Sequence, residues 1–310
     1  MRTIVGLDAM QAPPGGASVA IGTFDGLHVG HRALIAEARA HARRAGSVSS
    51  VITWDRHPNA VLRPDKVPPL LSSPARKVEL IAALDVDLLV VLAFDEDLAR
   101  WPPERFVDVV LVRGLGASTV CVGSGWRFGH KAAGDVALLR SLGAKLGFEV
   151  KDAPLVEVRG RPVSSSRARA AVAQGHLPLA SELLGRPFDL PGVVVHGNHR
   201  GKSLGYPTAN LAVDPALVQP PRGVYAGESV VGGRRHKAAI NVGVNPTFGG
   251  SEASPPTVEV YLLDFDGDLY GATLSIEFHR RLRDERRFDR VEDLVAQMAR
   301  DVEEAGASTC

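Results

Sequence analysis

His28 and His31 stand three residues apart in the run AIGTFDGLHVGH, which extends from Ala20 to His31. Gly22, Gly26 and Gly30 are interleaved with them. Glycines let a backbone turn sharply and approach a ligand closely. A helix starting just after such a turn aims its unpaired amides and its positive dipole at the same point, which is a ready anion site. Residues three apart share one face of a first helical turn. Two imidazoles there can donate hydrogen bonds to phosphate oxygens whose charge grows during displacement. The same residues also suit a tight turn with two surface histidines, but the combination of two histidines and three glycines between strand and helix favours a site. A zinc pair lacks an evident third ligand, and helical zinc pairs more often use a spacing of four.

A second run, Gly192 to Leu211, is rich in glycine and cations: GVVVHGNHRGKSLGYPTANL. Gly201-Lys202-Ser203 invites a P-loop reading. Gly197 lies one residue too close for that pattern, and Leu-Gly-Tyr-Pro follows instead of a helix. Backbone amides with Arg200 and Lys202 can still hold phosphates. Thr208 and Asn210 offer hard oxygen ligands suited to Mg²⁺. A Gly-Pro loop with Asn210 as a turn residue is the competing description. Further on, Glu259 lies in a strand-like stretch among apolar neighbours. Alternation by itself would place it on an outward face.

The first run resembles the His-x-Gly-His signature of nucleotidyltransferases, in the extended form found in bacterial bifunctional riboflavin kinase/FAD synthetases. Other segments are similar to that family in order: Thr53 to Pro58 (TWDRHP), Gly123 to Gly134 (GSGWRFGHKAAG) and Ser164 to Arg169 (SSSRAR). The later half resembles its kinase signature through Gly201 to Asn210, Gly223 to Ala226, Asn241 to Phe248 and Val258 to Phe265. The resemblance spans roughly residues 16 to 305.

It implies that Gly22, Phe24, Gly30, Pro58, Ser164, Ser165, Ser166 and Arg169 bind ATP or its phosphates beside His28 and His31. It also implies that Gly201, Lys202 and Asn210 serve the kinase nucleotide, with Thr208 and Asn210 holding Mg²⁺ and Glu259 as base. Arg283, Glu285 and Phe288 would face the flavin. The implied activities are phosphorylation of riboflavin to FMN and adenylylation of FMN to FAD, with ATP as co-substrate. Two positions depart from the family pattern. Ser166 replaces a Thr and keeps the hydroxyl. Gly125 replaces an Asn or Asp, and losing one preorganised donor typically costs about 10²–10³ in rate. A kinase whose N-terminal part only binds flavin nucleotide, or one that modifies another phosphate ester, therefore stays open here.

The elements needed to hold these residues are legible in the texture of the chain. Before residue 185, short apolar runs alternate with helix-like stretches, as in Ser18–Thr23, Gly30–Ala45, Ser49–Thr53, Ala75–Leu84 and Val86–Leu92. That pattern predicts a Rossmann-like parallel sheet with helices on both faces. After it, five strand-like stretches separated by Gly, Pro and Asn precede one long helix, Val291–Glu304. This predicts a small antiparallel barrel with a C-terminal helix. The change falls near Gly185–Leu190 and divides the chain into an α/β domain, 1–186, and a barrel domain, 187–310.

The bulk composition is compatible with this scheme. Of 310 residues, 45% are apolar and 23% charged, with a net charge of +1. Such balance predicts neither nucleic acid nor a membrane surface as partner. Small molecules (riboflavin, FMN, FAD and ATP) are the expected partners, and the chain is expected to be a monomer or weak homo-oligomer. Two cysteines without framework spacing, no apolar run long enough to span a bilayer and no secretory leader predict a cytoplasmic protein.

Overall fold

The computed structural model describes residues 1–153, 155–197, 204–243 and 257–308. The chain forms two compact units: 1–68 with 74–164, and 69–73 with 165–310.

The first unit is built on strands β1 (Arg2–Val5), β2 (Ala17–Ile21), β3 (Val48–Trp54), β4 (Leu88–Leu92), β5 (Ala117–Gly123) and β6 (Glu149–Ala153). All neighbours pair in parallel, in the order β1-β4-β3-β2-β5-β6. The chain leaves β2 for β3 on one side, while β5 lies on the other. Such a reversal opens a crevice at the carboxyl ends of the two strands, where ligands bind in doubly wound folds. Helices α1 (Val29–Ala45), α2 (Pro74–Ala82) and α3 (Val136–Leu146) cross between strands.

Both faces of the sheet are buried, so successive strand residues enter different cores. Ile52, Val90 and Val122 join Phe106, Val110 and Leu139. Their neighbours Val51, Leu89 and Cys121 join Leu34, Ile35 and Ile81 on the opposite face. This explains the nearly unbroken apolar reading of β4. Burial also pushes the Cys121 thiol up to about 12, so it behaves as an inert apolar group.

The second unit begins with helices α4 (Ser165–Ala173) and α5 (Leu177–Leu184), which pack on each other. Strands β9 (Phe188–Val195), β10 (Ala209–Val213), β11 (Gly223–Val231), β12 (Arg234–Gly243), β13 (Thr257–Leu262) and β14 (Thr273–Arg283) follow; the short hairpin β7 (Glu157–Val158) and β8 (Arg161–Pro162) precedes α4 in the first unit. The six strands close into a barrel in the order β10-β13-β12-β11-β14-β9. In β13, Val258, Val260 and Leu262 are buried and alternate with half-buried Thr257, Glu259 and Tyr261. The last helix, α6 (Val291–Ala307), packs on β11 and β12. Pro191 is tolerated inside β9 because pairing with β10 starts only at Gly192, so no ladder bond is lost on that side.

Candidate active sites

The turn after β2 carries three left-handed residues: Phe24 (φ 52°), Gly26 (φ 73°) and Leu27 (φ 43°). Left-handed geometry is unfavourable for Phe and Leu, so the surroundings must impose it. Phe24 is fully buried, and its ring meets His31 edge-on at 5.1 Å between centroids. The side chain of Phe24, the residue expected to contact ATP, packs inside the turn against His31. Gly22 has room for it: a Cβ at that position would lie 3.1 Å from the Phe24 ring.

His28 caps α1, accepting the His31 backbone N–H on Nδ1 at 3.2 Å. With Nδ1 as acceptor, the neutral ring carries its proton on Nε2 and can donate there. The two imidazoles stack at 3.5 Å with planes 15° apart. A Cβ at Gly30 would sit 3.2 Å from His28 Cε1, so this position favours a residue without one. Burial depresses His28 to about 4. His31 is also held well below the usual imidazole range, by burial first and then by the charges of His28 and Lys77. Both rings are thus neutral donors at pH 7. His31 Nδ1 is sealed from solvent without a hydrogen-bond partner. A buried polar atom left unpaired is costly, and the ring nitrogens left to donate are the Nε2 groups beside the α1 N-terminus, a position that favours an anion.

Pro58 is half-buried and lies after β3, at the start of a short helical turn, 59–62. Gly125 follows β5 and is exposed, with nothing within 4 Å of an added Cβ. One residue on, Trp126 stacks on Phe128 at 4.5 Å, an aromatic pair that sequence reasoning passed over. It passed over Lys77 too, a buried lysine whose Nζ donates to the Trp54 carbonyl at 2.7 Å. Lys77 and Ile81, four apart, are the buried residues of α2, and a lysine on the apolar face was the available signal.

Ser165, Ser166 and Arg169 lie on α4, with Ser164 just before it, at the cap position. Arg169 is 3.5 Å from the Ser166 hydroxyl. All but Ser164 pack in the second unit.

On the barrel, Glu259 lies directly opposite Asn210 of β10 and opposite Asn241 of β12. Cross-strand partners project from the same face. Asn210, Glu259 and Asn241 thus form one polar row across three strands, all half-buried. Asn210, a strand residue and not a turn residue, fits against Gly197, where a Cβ would collide with its amide. Glu285 is exposed, but its carboxylate also lies against Gly243, where a Cβ would come within 3.1 Å of Asn241 Nδ2. Thr208 is half-buried, just before β10. Arg283 grips Asp301 of α6 at 2.8 and 2.7 Å, and its guanidinium lies 5.9 Å from the Phe288 ring. Gly201 and Lys202 lie outside the described residues.

A doubly wound domain with an anion cradle at its crossover, followed by a closed barrel with a carboxylate between two amides, defines a nucleotide-dependent transferase with a candidate site in each part. Residues 10–167 match the FAD synthetase model and residues 184–309 the riboflavin kinase model. The chain belongs to the bifunctional riboflavin kinase/FMN adenylyltransferase family. A protein of that name from Pseudomonas fluorescens is 37% identical, covering 99% of this chain and 97% of its own. One from Bacillus subtilis is 35% identical over 93% and 90%. A crystal structure described as a macrolide-efflux protein from Streptococcus pneumoniae superposes with a TM-score of 0.89 at 30% identity, covering both chains fully. Among the described residues, no helix is long and apolar enough to cross a membrane.

Proposed function

We propose that this chain phosphorylates riboflavin to FMN on the barrel and adenylylates FMN to FAD on the parallel-sheet domain, using ATP in both steps. The reading assigns adenylyl transfer to 1–186 and kinase activity to 187–310. The observation that carries the adenylyl half is the stacked, neutral His28–His31 pair at the N-terminus of α1, at the sheet's crossover.

In the kinase step, the riboflavin 5′-hydroxyl oxygen attacks the γ-phosphorus and the bond to the ADP oxygen breaks. Glu259 takes the hydroxyl proton, held in register by Asn210 and Asn241. The oxygen donors of Thr208 and Asn210 fit Mg²⁺, which when bound neutralises phosphate charge. Gly201 and Lys202 would support the nucleotide. Glu285 and Phe288 would frame the flavin, with Arg283 anchoring their segment to α6.

In the adenylyl step, an FMN phosphate oxygen attacks the α-phosphorus and pyrophosphate leaves. His28 and His31 stabilise the growing charge. Gly22, Phe24 and Gly30 shape their turn, and Pro58 borders the nucleotide. By the family resemblance, Ser164, Ser165, Ser166 and Arg169 hold the triphosphate. Membership of residues 10–167 in the FAD synthetase family does not favour a kinase-only reading.

Riboflavin and FMN, supplied separately with ATP and Mg²⁺, should give FMN and FAD respectively by chromatography. Glu259→Gln should lower FMN formation by at least about 10²-fold and leave FAD formation from supplied FMN intact. Loss of both activities together would refute independent sites.

A further inference from the structure

The turn that carries the histidines needs an external support. Phe24 and Leu27 hold positive φ, which is unfavourable for residues with a side chain. The backbone leading into the turn is tied down at Gly22, whose N–H donates to the Ile52 carbonyl at 3.2 Å, and at the carbonyl of Thr23. It accepts the Thr53 hydroxyl at 3.1 Å and Lys77 Nζ at 3.4 Å. The same ammonium donates at 2.7 Å to the carbonyl of Trp54, the last residue of β3. Lys77 is only 8% exposed, although lysine is among the residues least often buried.

We infer that Lys77 is a positioning residue for adenylyl transfer, whose ammonium staples the phosphate-binding turn to the end of β3 and places a fixed positive charge beneath the stacked histidines. The inference rests on the adenylyl-transfer reading above. A neutral donor could satisfy either carbonyl without the desolvation that a buried ammonium suffers. The charge is therefore informative, because it sits where anionic phosphates must be received. Asp25 of the turn and Asp55 after β3 face it and favour its charged form. His31 of α1 faces it as well and feels its charge. Arg56 pairs with Asp55 at 2.9 Å, so that carboxylate is shared.

Burial lowers Lys77 to about 8, with Asp25 and Asp55 opposing the shift. Below that pH the ammonium is present; above it, two charge-assisted hydrogen bonds weaken and the positive charge vanishes. The histidines are already neutral throughout this range. FAD formation should therefore fall as pH rises through about 8.

The test compares wild type, Lys77→Arg and Lys77→Met in the full-length chain. FAD formation from FMN is followed from pH 6.5 to pH 9.5, with riboflavin phosphorylation in the same samples as internal control. Lys77→Arg, charged throughout, should keep activity at neutral pH and lose the alkaline decline. Lys77→Met should lower kcat for FAD formation about 10²-fold, the usual effect of slight misplacement, with kinase activity preserved and no decline near pH 8. If Lys77→Met destroys both activities through misfolding, the arginine profile decides alone. An alkaline decline unchanged in Lys77→Arg, or wild-type kcat in Lys77→Met, overturns the inference. A wild-type chain that makes no FAD overturns the adenylyl reading and this inference with it; unaltered variants of an active chain overturn this inference only.

Discussion

At the scale of single residues, position 125 puts the sharpest question. The family pattern that its sequence resembles has an amide or carboxylate there, and the glycine is not demanded by crowding, since an added Cβ would meet nothing within 4 Å. Nor is it one of the glycines with positive φ. Gly125→Asn is therefore sterically free to restore a polar group beyond β5. If that group donates to the reacting phosphates, FAD formation should rise, by up to about 10²-fold, while riboflavin phosphorylation stays constant. An unchanged rate in a steady-state FAD assay would mean that Ser124 or the backbone already supplies the contact. The two histidines could be read directly because glycine spacing and imidazole chemistry are local signals. Lys77 could not: its partners are carbonyls of Thr23 and Trp54, far away in sequence and brought near only by the parallel sheet.

Elements were legible in proportion to how much their burial follows one simple period. The helix expected at 30–45 and the apolar strand at 86–92 correspond closely to α1 and β4, because one has an unbroken amphipathic face and the other is buried on both sides. β6, with sequence EVKDA, sits at a sheet edge and stays polar on its wet side, so no apolar run announces it. β10 was hidden by the turn-forming residues Gly205, Pro207 and Asn210; it is a strand because β9 and β13 need a common partner to close the barrel. Arg283, which the resemblance places facing the flavin with Glu285 and Phe288, clamps β14 to α6. Both members of that pair are mostly buried, with side-chain exposures of 19% for Arg283 and 9% for Asp301. Gln297 donates a further hydrogen bond to the same carboxylate at 3.0 Å. Removing one partner strands a buried charge, so Asp301→Ala should cost about 3 kcal/mol or more in urea denaturation. The Arg283→Ala/Asp301→Ala pair should cost less than the sum of the singles, as expected when one charge no longer lacks its counterpart.

For the whole molecule, the composition change near residue 185 marks where strand-rich sequence begins, yet folding units need not follow composition. Helices α4 and α5 have ordinary helical texture, and nothing in it states which core they serve. Packing assigns them to the barrel: α5 lies against β14 and β9, and Leu177, Ala180, Leu183 and Leu184 are all fully buried. The short segment 69–73 behaves likewise. Leu70 donates to Ala216 at 2.7 Å and accepts from Val218 at 2.8 Å, an exchange across some 150 residues that only tertiary contact can reveal. A fragment of 187–310 would keep all six barrel strands but uncover the surface that α5 occupies. Three leucines and an alanine leaving the interior should cost several kcal/mol at roughly 1.5–3 kcal/mol per large side chain, a large share of a small domain's stability. Fragment 165–310 should therefore melt cooperatively and at a clearly higher temperature than 187–310, as followed by circular dichroism. Equal melting temperatures would show that the barrel is complete without its two preceding helices, and that the kinase half begins where the composition changes.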